Sequence, residues 1–302
     1  MRRYTFSLCL LPLLIAAILP AFGNPIPIFE IPAAANSFGL LGGTVSNTGA
    51  SLVVGNVGAT TTITGFPGGP GTATGFTCTP TSAAPCTSGE NSAVTTAYDS
   101  IFNSGGAFSE ASGLAPTQTF TTATSQTLLG NTVYASASDI STATGTNLTF
   151  NAQGNPNEVF LIQIDGALTV NGAMSFTLEN GAQASNIFWI VEDAATISVG
   201  SSGPIVFDGD ILSGTSFTMS AASGGSGVLA GTINGCVFAR TANTLAGETK
   251  VNGCSSVSSV PEPGSAGLLV SLGGLLGILA WARKRRRFRQ GSLVLTAPES
   301  RS

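Results

Sequence analysis

Between about Gly39 and Cys254 the chain keeps repeating a three-residue pattern of apolar residue, Thr, apolar residue. Leu148-Thr149-Phe150, Leu168-Thr169-Val170, Phe176-Thr177-Leu178 and Phe217-Thr218-Met219 are examples. Alternation at period two turns the two apolar side chains to one face of a strand and the hydroxyl to the other. The segments are short, because Gly, Asn, Ser and Pro interrupt them every few residues, as at Asn171-Gly172, Asn180-Gly181, Gly200-Ser201-Ser202-Gly203 and Asn234-Gly235. Such a chain has to gather many short strands around one core. Only 9% of the 302 residues are charged against 43% hydrophobic. Disordered chains combine low hydrophobicity with high net charge, so this composition excludes disorder as the general state.

Two longer apolar runs, Val159-Phe160-Leu161-Ile162 and Ile187-Phe188-Trp189-Ile190-Val191, predict strands covered on both faces. With Leu148, Leu168, Ile187 and Ile205 taken as corresponding positions, the recurrence approximates one coil of a parallel β-solenoid, in which each unit stacks on its neighbours. A β-sandwich is the competing all-β arrangement, since it also yields many short strands with regular turns. One segment breaks the pattern. From Glu90 to Asn103, the residues Val94, Ala97, Tyr98, Ile101 and Phe102 form a one-sided stripe at helical spacing, and Gly105-Gly106 should end that helix.

Both ends of the chain look like targeting segments. Arg2 and Arg3 precede the apolar run Leu8 to Leu19, and Pro20 to Gly23 supply small residues for cleavage. This predicts a secretory signal peptide over residues 1–23, too short an apolar run for a bilayer span. At the other end stand Pro261, Glu262 and Pro263, then the apolar stretch Gly264 to Ala282, then Arg283-Lys284-Arg285-Arg286-Arg287. The stretch is just long enough to span a bilayer, and the basic cluster keeps its far end in the cytoplasm. This tripartite tail resembles the PEP-CTERM sorting signal, and the resemblance implies three things. A membrane exosortase processes the protein near Pro261 to Pro263. The C-terminal helix holds it in the membrane beforehand. The host is a Gram-negative-type bacterium that exports the protein across its cytoplasmic membrane and makes exopolysaccharide, a further partner. The expected layout is a signal peptide at 1–23, a linker at 24–38, a solenoid domain at 39–254, and a linker and sorting tail at 255–302.

Charge and cysteine usage narrow the functional classes. From Asn24 to Val260 there are two basic residues, Arg240 and Lys250, and thirteen acidic ones, a net charge of −11. Nucleic acid is therefore not an expected partner, because phosphate neutralisation needs clustered Lys and Arg. Four cysteines remain after removal of the signal peptide, Cys78, Cys86, Cys236 and Cys254. An even number in an exported protein points to disulfides ahead of metal ligands. Of three connectivities the local one is expected, Cys78 with Cys86 and Cys236 with Cys254. Asp208 and Asp210 are the best candidate pair for acid–base catalysis, since residues two apart on a strand share a face. With no histidine and no nucleophile elbow or P-loop, the expectation is a non-enzyme without metal or cofactor.

Several longer blocks carry a family resemblance. They are Leu41-Gly42-Gly43-Thr44-Val45-Ser46-Asn47-Thr48-Gly49, Val53-Val54-Gly55-Asn56-Val57-Gly58, Ile63-Thr64-Gly65-Phe66-Pro67 and Thr96-Ala97-Tyr98. Further along come Asn151 to Phe160, Asn180 to Trp189, and Asn234-Gly235-Cys236-Val237-Phe238-Ala239-Arg240-Thr241. In this order they resemble the ice-binding family formerly known as DUF3494, over nearly all of Leu40 to Cys254. The resemblance implies a discontinuous right-handed β-solenoid with one long α-helix packed alongside, and adsorption to an ice crystal surface through a flat face rich in Thr and Ala. Faces of this family often carry Thr-Ala/Gly-x-Thr/Asn. The matches here are Thr144-Gly145-Thr146-Asn147 and Thr241-Ala242-Asn243-Thr244, so Thr144, Thr146, Asn147, Thr241 and Thr244 are the expected ice contacts. The alternative is a non-catalytic, exopolysaccharide-associated surface or adhesion protein without ice affinity. A charge-free Thr and Ala face would favour the first reading, and a groove with aromatics and carboxylates the second.

Overall fold

The computed structural model describes residues 29–254, apart from 84–85, 123–124, 143–144, 173, 200–203 and 222–230. These residues belong to one compact unit that ends at Val257. The expected signal peptide, the Pro261-Glu262-Pro263 motif with its apolar stretch, and Thr144 lie outside the described residues. Among the described residues no helix is long and apolar enough to cross a membrane.

The chain begins with β1 (Phe38–Asn47), β2 (Leu52–Val53), β3 (Asn56–Thr64), β4 (Thr72–Ala73) and β5 (Thr77–Cys78), followed by α1 (Ser88–Phe102) and α2 (Ala107–Ser112). Next come β6 (Gln118–Thr119), β7 (Gln126–Leu129), β8 (Thr132–Ser136), β9 (Ile140–Thr142), β10 (Asn147–Asn151), β11 (Phe160–Ile164), β12 (Leu168–Asn171) and β13 (Ser175–Glu179). The last strands are β14 (Ile187–Val191), β15 (Ala195–Val199), β16 (Ile205–Asp208), β17 (Asp210–Ser213), β18 (Ser216–Ala221), β19 (Gly231–Asn234), β20 (Val237–Ala246) and β21 (Thr249–Val251).

Every strand pair among the described residues is parallel. This excludes the sandwich, whose sheets are antiparallel. Successive strands visit three faces in turn, so the body is a three-sided solenoid. Face A stacks β8, β11, β14 and β17, and face B stacks β9, β12, β15 and β18. Face C holds β7, β10 and β13, and beyond them β16, β19, β21, β2 and β4. The long strands β20, β1 and β3 turn the A–B corner and serve both faces, as their split registers show.

The coils do not stack in chain order. β1 pairs with β20 on one side and β3 on the other, so the first coil sits directly on the last. The two helices carry the chain back along face A to β6 at the far end. At the junction of β1 and β20 the register shifts between Gly42 and Thr44, where the A–B corner leaves Arg240 and Thr241 unmatched. Asn243, fully buried, donates from Nδ2 to the Leu41 carbonyl at 2.8 Å across this irregularity. Ser51 Oγ bonds Asn47 Oδ1 at 2.7 Å and Thr249 Oγ1 at 2.8 Å.

Two apolar layers result. The inner core fills the solenoid and centres on Trp189, whose ring meets Phe120, Phe150, Phe176 and Phe207 at centroid distances of 5.1–6.3 Å. Its indole N–H donates to the Asp208 carbonyl at 3.0 Å. The second layer lies between face A and the helices, and explains why the runs at Val159 and Ile187 are apolar on both sides. Leu161, Phe188, Ile190, Leu212 and Phe238 meet Val94, Ala97, Ile101 and Phe102 there. The helix of the expected stripe starts at Ser88, because Thr87 and Glu90 form a capping box. Phe29, Ile31 and Ala35 are also buried in this layer, so part of the stretch expected as linker is packed structure. Arg240 fastens the helices to the solenoid, with its guanidinium 5.7 Å from the Phe102 ring and 5.3 Å from the Phe108 ring.

At the corner between faces C and A three coils repeat one local pattern: Asp208-Gly209-Asp210, Asn234-Gly235-Cys236 and Asn252-Gly253-Cys254. The first residues form a ladder, with Asn252 Nδ2 donating to Asn234 Oδ1 and Asn234 Nδ2 to Asp208 Oδ1, both at 2.7 Å. The third residues put Cys236 and Cys254 in register, and they are joined by a disulfide. Cys78 and Cys86 form the other disulfide, so the expected local connectivity is present. The expectation that Asp208 and Asp210 share a strand face does not hold. Gly209, at φ +114°, turns the corner between them, leaving Asp208 at the end of β16 and Asp210 at the start of β17.

Asp210 is buried in the helix-covered layer and accepts from the Cys236 backbone N–H at 2.7 Å. Burial pushes its carboxyl up to about 8, against the smaller opposing effect of that hydrogen bond. The folded state therefore keeps a proton that the unfolded chain gives up near pH 4. Stability should fall as pH rises from about 4 towards 8, by roughly 1.4 kcal/mol per pH unit for one proton. Asp210→Asn keeps an acceptor for Cys236 and should flatten that slope and raise stability at pH 8, as measured by denaturant unfolding at pH 5 and 8. An unchanged slope would place the buried proton elsewhere.

Candidate functional site

Face B alternates strictly along its strands. Leu168, Val170, Ala195, Ile197, Phe217, Met219, Val45 and Leu245 point inward and are buried, so the residues between them point to solvent. Strand register aligns the outward residues into columns. The central column runs Ser141, Thr169, Thr196, Thr218, Thr244, Ser46 and Thr64. It crosses seven strands without a charge or a large apolar side chain. One flanking column carries Ser216, Ala242, Thr44 and Thr62, and the other Asn171, Ser198, Ser220 and Ala246. Parallel strands lie about 4.8 Å apart and alternate residues roughly 6.7 Å apart, so the central column is on the order of 29 Å long.

The other faces differ. On face A the outward residues are buried under the helices. On face C the corresponding column reads Thr127, Thr149, Thr177 and then Val206, Thr232, Lys250, Leu52, Thr72. That surface also exposes Leu129, Leu178 and Val206 and splits into two separate sheets. Asp139, Asp165, Glu192 and Asp193 lie in the turns between faces A and B, outside the strands of face B.

Of the expected ice contacts, Thr244 sits in the central column of face B. Thr241 is exposed at the A–B corner, and its hydroxyl donates to the Thr215 carbonyl at 2.8 Å. Thr146 lies at the B–C corner, only 5% exposed, with its hydroxyl 3.3 Å from the Thr122 carbonyl that it donates to. Asn147 opens β10 on face C, and its Oδ1 accepts from Thr177 Oγ1 at 3.3 Å. The two motif matches are therefore not on one surface. The family motif does not pick out Thr196, Ser46 and Thr64, and Thr169 and Thr218 stand out in the sequence only as strand signals. A signal was present in their apolar–hydroxyl–apolar triplets, but Thr149 and Thr177 carry the same signal on face C.

The described residues bring one group of metal-ligating types together, Asp210, Cys236 and Cys254, and both sulfurs are spent in the disulfide. The Asp208 and Asp210 carboxylates accept from Asn234 and Cys236 in the corner ladder. Burial raises the affinity of Asp208 for its proton, and the Asn234 hydrogen bond opposes this.

Comparison with known proteins agrees with this architecture. The family model described as ice-binding-like matches residues 40–251, and the PEP-CTERM protein-sorting motif matches residues 259–286. An ice-binding protein of Nostoc sp. (strain HG1) is 31% identical over 264 residues, spanning 85% of this chain and 87% of that protein. One from Flavobacterium frigoris is 38% identical over 92 residues, 30% of this chain and 29% of that protein. The crystal structure of an ice-binding protein from Antarctomyces psychrotrophicus superposes with a TM-score of 0.59 at 28% identity, covering 75% of this chain and all of that one. An ice-binding protein from an Antarctic biological consortium superposes equally well, at 26% identity over 77% of this chain and 92% of that one. By the extent of the family match and of the Nostoc relative, the chain belongs to the ice-binding-like family.

Proposed function

We propose that the protein is an exported ice-binding protein that adsorbs to ice through face B and so restrains crystal growth and recrystallisation. The observation behind this reading is the uninterrupted central column from Ser141 to Thr64. Charged side chains hold their hydration shells tightly, and face B offers none. Thr has a stiff χ1, and its neighbours in the column restrict it further. The methyls and hydroxyls are thus held at fixed spacing before ice arrives, which lowers the entropic cost of contact. Water ordered over such a lattice can merge with a growing crystal. Thr244 is central in this scheme and Thr241 marginal. Thr146 and Asn147 belong to the neighbouring corner and face.

The role is binding rather than catalysis, in keeping with the names of the relatives. The sorting motif supports export from a Gram-negative-type cell, membrane retention through the C-terminal segment, and release or transfer by an exosortase-type enzyme. Exopolysaccharide is the surrounding material on this reading. Protein from the producing cells should then start near Asn24 and end near Val260 by intact-mass spectrometry. An unprocessed C terminus would remove the sorting claim.

Ice growth in a solution of the oxidised domain tests the site. Faceted crystals and a gap between melting and freezing points are expected. Thr196→Tyr or Thr218→Tyr should shrink that gap several-fold, whereas Thr149→Tyr on face C should leave it intact. Round, unhindered crystals from folded protein would favour the matrix or adhesion role, and equal losses from all three variants would move the site off face B.

A further inference from the structure

The last described residue, Cys254, follows β21 on face C and is bonded to Cys236, which precedes β20 on face A. The described chain therefore ends at the C–A corner. In a three-sided body that corner is the one opposite face B. The sorting-motif match begins at residue 259, a few residues later. A pull applied at Cys254 therefore acts at the corner opposite face B.

The same exit is mechanically exposed. β21 is three residues long, yet it is the middle rung joining β19 to β2. The last coil lies inside the stack because β1 docks on β20. Tension on the C-terminal end would peel β21 one rung at a time and cut face C between the N-terminal coils and the rest. The disulfide bypasses this weak rung. It passes load from Cys254 directly to Cys236 and so to β20, ten residues long and paired with β17 and β18 on one side and β1 on the other. The Cys236 backbone is itself held by Asp210.

We infer that the domain is built to work while tethered by its C-terminal end, with face B presented outward and the Cys236–Cys254 disulfide as the clasp that carries the load. The nature of what face B holds rests on the ice-binding reading, and the load path does not. Two measurements on the chain from Asn24 to Ser259 separate them.

In the first, single molecules are pulled between their termini. The oxidised domain should unfold without a preceding step. A Cys236→Ser/Cys254→Ser variant should show an early, low-force release of residues 247–254, about 3 nm at roughly 3.5 Å per residue. Reduction of folded oxidised protein in place gives the same comparison should that variant fold poorly. Unfolding in one event at unchanged force after loss of the disulfide would overturn the clasp.

In the second, beads carry the domain either through its C-terminal end or through Thr196→Cys on face B. Growing ice should engulf the first beads and reject the second. Free domain that binds ice, with beads attached through the C-terminal end that do not, would overturn outward presentation. Free domain that ignores ice would remove the function assigned to face B while the pulling result still decides the clasp.

Discussion

The parallel pairing of β1 with β20 is the contact on which the rest of the structure depends. It joins the first coil to the last, residues nearly two hundred positions apart, along both face A and face B. Without it the two N-terminal coils would be a separate, short stack, and face B would end at β20. Neither fragment would bury as much of its apolar surface, and stacked units gain their stability from neighbouring interfaces. The junction also has to hold one register, since a slip by one residue would turn Thr44 and Ser46 of β1 into the core. Asn243 and the Asn47, Ser51 and Thr249 cluster supply that restriction. Each is a buried polar group whose hydrogen bond forms only when the strands are aligned as observed.

The helices serve the same arrangement. A chain that inserts its first coil after its last must travel the length of the solenoid, and α1 with α2 makes that journey along face A. Gln163 anchors the far end, donating to the Ala111 and Leu114 carbonyls at 2.7 and 2.8 Å. Covering face A spends one apolar surface on stability. Face C is divided where β13 meets β16 without hydrogen bonding, and it carries mixed chemistry. Face B is left as the long, continuous and uncharged surface. Its character follows as much from how faces A and C are used as from its own residues.

The strand chemistry, the helix and the presence of disulfides were legible in the chain, while the choice of the local pairing among three was decided by the structure. Period-two triplets gave the in-and-out pattern of β10, β12 and β18 directly, whereas in β13 the expected inward Leu178 is exposed; the stripe from Val94 to Phe102 matched the buried side of α1. The apolar runs in β11 and β14 correctly implied a cover on both sides. The corner geometry was not legible. Asp208 and Asp210 read as one strand because nothing in their spacing reveals that Gly209 turns the chain. Phe29 and Ile31 read as linker because only the second apolar layer gives them something to pack against.

The candidate site divides in the same way. Sequence alone determined that Thr and Ser face outward from apolar-lined strands, because alternation is a local property of extended backbone. It also determined that these positions lack charge. Which hydroxyls share a surface was decided only by tertiary structure. Coil length varies between corners, and triplets of one pattern such as Leu148-Thr149-Phe150 and Leu168-Thr169-Val170 go to faces C and B according to how many residues each turn consumes. The pairing of Ser46 with Thr244, which makes one surface from the two ends of the chain, exists only because β1 docks on β20.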